Sequence, residues 1–189
     1  MNDIETFSPY LRGERIYLRK VCLTDVNENY YRWMNDPEVT RYLESRFFPN
    51  DMDSLRENVA SKLKDKNNVF LTIIRSDTDE HIGNIKLGPI DWMHRLADVG
   101  VLIGDKASWG KGYATEAIGL VVRLAFQQLN LHKLTAGYYS DNKGSGKAFN
   151  SNGFVIEGIR RKHRLCEGLY VDTVILGLLR EDIEGENLS

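Results

Sequence analysis

The sequence is poor in cysteine, in proline and in long apolar runs, and neither sign of charge predominates. Its two cysteines, Cys22 and Cys166, lie far apart, which excludes a disulfide framework and any C-x-x-C metal spacing. Free thiols in a reducing compartment are expected. The longest apolar stretch, Val174 to Leu179, is far too short to span a bilayer, and Met1 to Tyr10 carries acids and no apolar stretch. The expected location is therefore cytoplasmic, with no membrane partner. With 4 prolines and no low-complexity tract, the chain is not of a disordered or linker-rich type. Its 25 basic and 27 acidic side chains leave a net charge of -2, so there is no global positive field for nucleic acid. One basic run, Arg160 to Arg164, could form an anion site but reads more simply as a solvated face.

What remains is an ordinary folded composition, 42% hydrophobic over 189 residues, the size of one domain spanning 1–189 with order expected everywhere but the ends. Alternation predicts strands at Arg15 to Val21, Val69 to Arg75, His81 to Leu87, Ala97 to Ile103 and Leu134 to Tyr139. The run Ser76-Asp77-Thr78-Asp79 predicts a hairpin between the second and third of these. Two further strands, Phe154 to Leu165 and Leu169 to Leu179, are joined by a turn at Cys166-Glu167-Gly168. Helical signals cover Thr24 to Glu44, with Thr24 or Asp25 as cap and Pro37 dividing the region in two. More helices are expected at Met52 to Asp65, Ala114 to Leu129 and Gly144 to Asn152. In the Ala114 segment Ala117, Ile118, Val121, Val122 and Ala125 share one face, as a helix lying on a sheet requires. The fold class is mixed α/β (α+β), a mostly antiparallel twisted sheet of about seven strands flanked by helices.

The segment richest in chemistry is Ser108-Trp109-Gly110-Lys111-Gly112-Tyr113-Ala114, which joins a strand to a helix start. Gly110 and Gly112 permit unusual dihedrals, so successive N–H groups can converge on an anion where the helix dipole is positive. Pyrophosphate is the natural guest. Neither the GxxxxGK[ST] nor the GxGxxG fingerprint is present, which disfavours ATP and NAD. The four histidines show no HxH or HExxH spacing, and no metal is expected.

Trp109 through Ala114 resembles the acyl-CoA pyrophosphate loop of the GNAT superfamily, usually Gln/Arg-x-x-Gly-x-Gly/Ala. Gly112 and Ala114 match, while Trp109 replaces the usual polar residue. Asn142, Ser145, Gly153 and Phe154, followed by Glu157-Gly158, resemble the helix and strand start that complete that site. Trp33 to Val39, Gly83-Asn84-Ile85 and His94 to Gly100 are similar to the RimJ/RimL branch, named for acetyltransferases of ribosomal-protein N-termini. The resemblance covers nearly the whole chain.

This resemblance implies a GNAT fold and an enzyme transferring an acetyl group from acetyl-CoA to a primary amine by direct attack in a ternary complex. It implies cofactor contacts from Trp109, Gly110, Lys111, Gly112, Tyr113 and Ala114 at the pyrophosphate. Val101, Leu102 and Ile103 would pair with the pantetheine, and Asn142, Ser145 and Phe149 belong to the following helix. Either Val101 or Leu102 would polarise the thioester carbonyl. Asp98, on the strand face opposite Val99 and Val101, is the candidate base. The tyrosine that often protonates the thiolate is replaced by Phe149, so Ser145 becomes the candidate donor to sulfur, although it could equally be a helix cap. Trp33, Asn35, Trp92, His94 and Tyr170 are the expected acceptor-binding residues. Two other readings stand beside this one. An amino-sugar nucleotide could be the acceptor, since segments such as Gly88-Pro89-Ile90-Asp91-Trp92 fit it. Alternatively, the chain could bind CoA without turnover, as Phe149 would suit. A monomer or a homodimer is compatible with the sequence.

Overall fold

The computed structural model describes residues 8–186, with side chains to residue 183. The chain ends expected to lie outside the ordered domain fall at 1–7 and 187–189, beyond the described residues. Eight strands form one sheet: β1 (Leu11–Arg12), β2 (Ile16–Lys20), β3 (Val69–Arg75), β4 (His81–Asp91), β5 (Leu96–Ile103), β6 (Lys133–Tyr139), β7 (Val155–Cys166) and β8 (Leu169–Leu179). Their order across the sheet is β1-β2-β3-β4-β5-β6-β8-β7. The expected count of about seven missed β1, whose two residues are too few to show a period. Six helices flank the sheet: α1 (Glu28–Asn35), α2 (Pro37–Thr40), α3 (Met52–Lys64), α4 (Tyr113–Arg123), α5 (Lys143–Asn150) and α6 (Arg180–Glu186).

The two cores explain the two faces. On one face, Ala117, Ile118 and Val121 of α4 pack with Leu18, Ile73, Ile85, Val99, Leu134 and Leu176 from six strands. On the other, Val21, Val26, Tyr30, Leu55 and Val59 form a smaller cluster under α1 and α3. The expected cap at Thr24 or Asp25 is corrected: Leu23–Asp25 is a 3-10 turn, and Asn27 caps α1, its Oδ1 accepting from the amides of Asn29 and Tyr30 at 3.0 and 3.2 Å. Asp25 is drawn under the sheet instead, where Arg19 donates to its two carboxylate oxygens at 2.8 and 2.5 Å.

Every strand pair is antiparallel except β5 with β6, which the α4 crossover makes parallel. These two strands pair only over Leu96–Asp98 and Lys133–Thr135. Beyond Asp98 and Thr135 they separate, opening the middle of the sheet into a V whose apex is this pair. The mouth lies at the C-terminal ends of both strands, where the Gly110 to Ala114 loop leads into α4.

Candidate functional site

The loop between β5 and α4 is shaped by two left-handed glycines, Gly110 at φ 70° and Gly112 at φ 82°, conformations that cost a side chain. Gly112 caps α4 with no side-chain acceptor, and the first amide to close a helical bond is that of Glu116, to the Gly112 carbonyl at 3.1 Å. The preceding amides of α4 have no helical partner, and those of Gly110, Lys111 and Gly112 meet no acceptor among the described residues. A contiguous run of donors is therefore free at a helix start, the arrangement that suits pyrophosphate.

The loop is braced from two directions. Trp109 donates its indole N–H back to the Ile103 carbonyl at 2.8 Å. Arg15, in the β1–β2 turn, donates to the Lys111 carbonyl at 2.8 Å and lies over the Tyr113 ring at 5.2 Å. Glu116 locks Arg15 in turn: one oxygen accepts from the amides of Arg15 and Ile16 at 2.8 and 3.3 Å, the other from the Arg15 guanidinium at 3.1 Å. Neither Arg15 nor Glu116 carried any signal in the sequence, because they meet across about a hundred residues of chain.

The split strands settle which backbone groups line the V. The Ala97 carbonyl faces β6, 3.4 Å from the Thr135 hydroxyl oxygen, and the Ile103 carbonyl faces Trp109 on that same open side. The Leu102 carbonyl faces Gly83 of β4. Since both main-chain groups of a residue point one way and alternate along a strand, Val99, Val101 and Ile103 turn their N–H and C=O into the V, while Gly100 and Leu102 turn theirs to β4. Of the two expected amides, Val101 is the one facing the cleft.

Side chains alternate across the sheet as well. Val99 and Val101 point to α4, so Asp98 stands on the opposite face, at the apex of the V. Burial raises the Asp98 carboxyl above its ordinary range, against the Thr135 hydroxyl, which donates to it at 3.2 Å, and the nearby Lys86 charge. On the α4 face, Asn142 caps α5 by accepting from the Ser145 amide at 3.2 Å. Asn142 thus takes the capping role, and the Ser145 hydroxyl has no hydrogen-bond partner among the described residues. Tyr138, Lys143, Gly146, Lys147, Asn150 and Ser151 surround a groove of about 500 Å³ along α5, a basic surface that the sequence reading missed.

Several expected site residues fall elsewhere. Phe149 is 2% exposed and packs edge-on against Phe154 at 5.1 Å, so it fills the core and offers no surface to a cofactor. Trp92 and His94 occupy the β4–β5 turn at the start of β5, the end remote from the loop; Trp92 donates to Asn67 there at 3.0 Å. Tyr170 is exposed in the β7–β8 hairpin, where alternation gives it the face of Val174 and Leu176, not that of Asp98. Trp33 packs on Gly104 just past β5 and edge-on against the His81 ring at the start of β4, 4.9 Å away. Asn35 lines a neighbouring cleft, with its amide donating to the Tyr31 and Asn50 carbonyls at 3.0 and 3.1 Å. Among the described residues no group of three or more His, Cys, Asp or Glu could hold a metal, and no helix is long and apolar enough to cross a membrane.

Residues 15–155 match the acetyltransferase (GNAT) domain family. An uncharacterized N-acetyltransferase of Bacillus licheniformis is 32% identical over 93% of this chain and 98% of its own length. A ribosomal-protein alanine N-acetyltransferase of Escherichia coli is 33% identical over 44% of this chain and 43% of its own. Among solved structures, a spermidine N-acetyltransferase from Vibrio cholerae in complex with CoA and spermine superposes with a TM-score of 0.81 at 23% identity, covering 90% of this chain and 98% of that one.

Proposed function

This chain belongs to the GNAT acetyltransferase family and is an N-acetyltransferase; from that premise we propose that it moves the acetyl group of acetyl-CoA directly onto a primary amine bound across the V of the sheet. The observation that carries this reading is the run of unengaged amides from Gly110 into the first turn of α4, at the mouth of a cleft between β5 and β6. Those amides would take the pyrophosphate, and Lys143 and Lys147 along α5 suit the remaining phosphate chemistry of CoA. The inward-facing groups of Val99 and Val101 would pair with the pantetheine amides, with the Val101 N–H placed to polarise the thioester oxygen.

The two candidate chemical groups stand on opposite faces of the sheet. Asp98 faces the acceptor side, where its raised pKa suits removal of a proton from an ammonium group, directly or through water. Ser145 lies on the α4 side, with a hydroxyl available to the departing sulfur. With one ammonium proton taken up by Asp98, the neutral amine nitrogen bonds to the acetyl carbon, the C–S bond breaks, the second proton on nitrogen leaves to water and the thiolate accepts a hydrogen bond from Ser145. A thiolate whose acid has a pKa near ~8.5 leaves readily enough that no strong acid is needed, which makes the loss of tyrosine at Phe149 tolerable.

An acceptor screen tests the reading: thiol release from acetyl-CoA is followed with peptide N-termini, polyamines and amino-sugar nucleotides, and the acetylated product is identified by mass. Turnover with one class supports it. Saturable CoA binding with no thiol release for any class would instead favour binding without turnover.

A further inference from the structure

Beside the mouth of the V lies a cleft of about 560 Å³ whose walls include Asn35, Thr40, Arg41, Arg46, Phe47 and Phe48. It borders both strand ends: Trp33, two residues before Asn35, packs on Gly104 past β5, and Arg46 donates to the Tyr139 hydroxyl at the end of β6 at 3.2 Å. Tyr139 alternates with Thr135 on the face of Asp98, so the cleft opens on the acceptor side.

Five carboxylates around it share three cations, and Arg46 stands apart from those pairs. Each carboxylate nearby already faces a cation: Glu167 and Asp141 face Arg41 at 2.8 and 3.8 Å, Glu44 faces Arg164 at 3.1 Å, and Asp36 and Glu38 face Lys106 at 2.7 and 3.1 Å. Arg46 makes no direct ion pair among the described residues, and the Tyr139 hydroxyl that accepts from it donates in turn to Glu44 at 2.8 Å. The Arg46 Nη1 donates to the Leu43 carbonyl and to Tyr139, and its Nη2 to the Leu165 carbonyl, which engages three of the five guanidinium hydrogens and leaves Nε–H and one on Nη2. The Phe47 ring at 4.2 Å and the Tyr139 ring at 5.3 Å hold the group in place.

We infer that the amine acceptor of this chain carries an oxyanion, a carboxylate or a phosphate, which Arg46 binds in this cleft; the inference deepens the acetyltransferase reading and rests on it. A guanidinium held in place with two unused donors and no directly paired carboxylate suits such a group through charge-assisted hydrogen bonds. The exposed faces of Phe47 and Phe48 would cover the apolar body of the acceptor.

The test uses matched amines and the CoA-saturated protein. Phenylalanine is compared with phenylalaninamide, glucosamine 6-phosphate with glucosamine, and spermidine stands for a polycation; binding is read by calorimetry and turnover by thiol release. The anionic member of at least one pair should be preferred by roughly tenfold or more, the scale of a charge-assisted contact, and the pair that responds separates carboxylate from phosphate. The preference should vanish in Arg46→Gln through a higher KM or Kd and survive in part in Arg46→Lys, with CoA affinity unchanged in both. The inference is overturned if neutral amines or spermidine do as well as the anions, if the preference persists in Arg46→Gln, or if no probe binds protein that still binds CoA. Failure to bind CoA at all would instead strike the acetyltransferase reading.

Discussion

Asp98 and Ser145 carry the chemistry proposed here, and each has a signature that a structural role would lack. Burial raises the Asp98 pKa, so its ionised form is a cost to the folded protein that protonation relieves. Asp98→Asn should therefore leave thermal stability at neutral pH unchanged or slightly higher while lowering kcat by about 100- to 10,000-fold, the range of a positioned base. In the wild type the acidic limb of the kcat/KM profile should lie above the ordinary carboxylate range, and in Asp98→Asn it should disappear. Ser145→Ala should lower kcat with little change in that limb. A loss below roughly threefold for Asp98→Asn, read by thiol release across pH, would reduce Asp98 to a structural residue. The sequence pointed to Asp98 through strand alternation, a local property that survives folding. Trp92 and His94, expected in the acceptor pocket for their aromatic and hydrogen-bonding character, lie in the β4–β5 turn, at the other end of β5 from the loop, a placement that residue type alone does not convey.

Among the elements, α4 and its loop were the most legible. A single apolar face fixed the helix, running from Ala117 to Val122 in α4 and on to Ala125 in the π-helical turn Leu124–Gln128 that continues it, and two glycines before it fixed the turn. What periodicity could not convey was the brace. Glu116 sits at the first closed turn of α4 and accepts from the two amides of Arg15 and Ile16 as well as from the Arg15 side chain, tying the edge of the sheet to the loop. Glu116→Ala strips both amides of their acceptor and should cost about 1–3 kcal/mol of stability. It should also weaken CoA binding, because Arg15 would no longer hold the Lys111 carbonyl. Thermal unfolding and CoA calorimetry on the same variant check the two effects together. Loss of stability with unchanged CoA affinity would show that the loop keeps its shape without the brace. β1 and α6 escaped the sequence reading because one is too short for a period and the other is a polar turn of helix at the end of β8.

Across the whole molecule, the sheet holds two different cores on its faces, and the smaller one depends on a buried ion pair. Asp25 is nearly inaccessible; burial opposes its charge, yet the hydrogen bonds from Arg19 and from the Cys22 amide and thiol, with the Arg19 charge, prevail and hold its pKa down to about 2. A depressed carboxylate stabilises the fold fully above its ordinary pKa near 3.8 and loses that contribution as pH falls toward about 2. Acid unfolding followed by circular dichroism should show stability declining through that window. Asp25→Asn should lower stability at pH 7 by about 3 kcal/mol, since it leaves the Arg19 charge without its carboxylate, and should flatten the decline. The fold class and the glycine turn between β5 and α4 were legible from local pattern and resemblance, whereas Arg46, Glu116 and the apex at Asp98 and Thr135 emerge only from contacts between distant segments. The central claim is that this split sheet and its free amides bind CoA, and calorimetric titration of CoA into the wild type and Gly112→Asp tests it most directly. A carboxylate at Gly112 opposes the phosphates by about 1 kcal/mol or more at contact range and crowds the Arg15 guanidinium, 3.3 Å from the added carbon. The wild type should bind saturably and a folded Gly112→Asp variant should not; equal affinity in the two proteins would contradict the account.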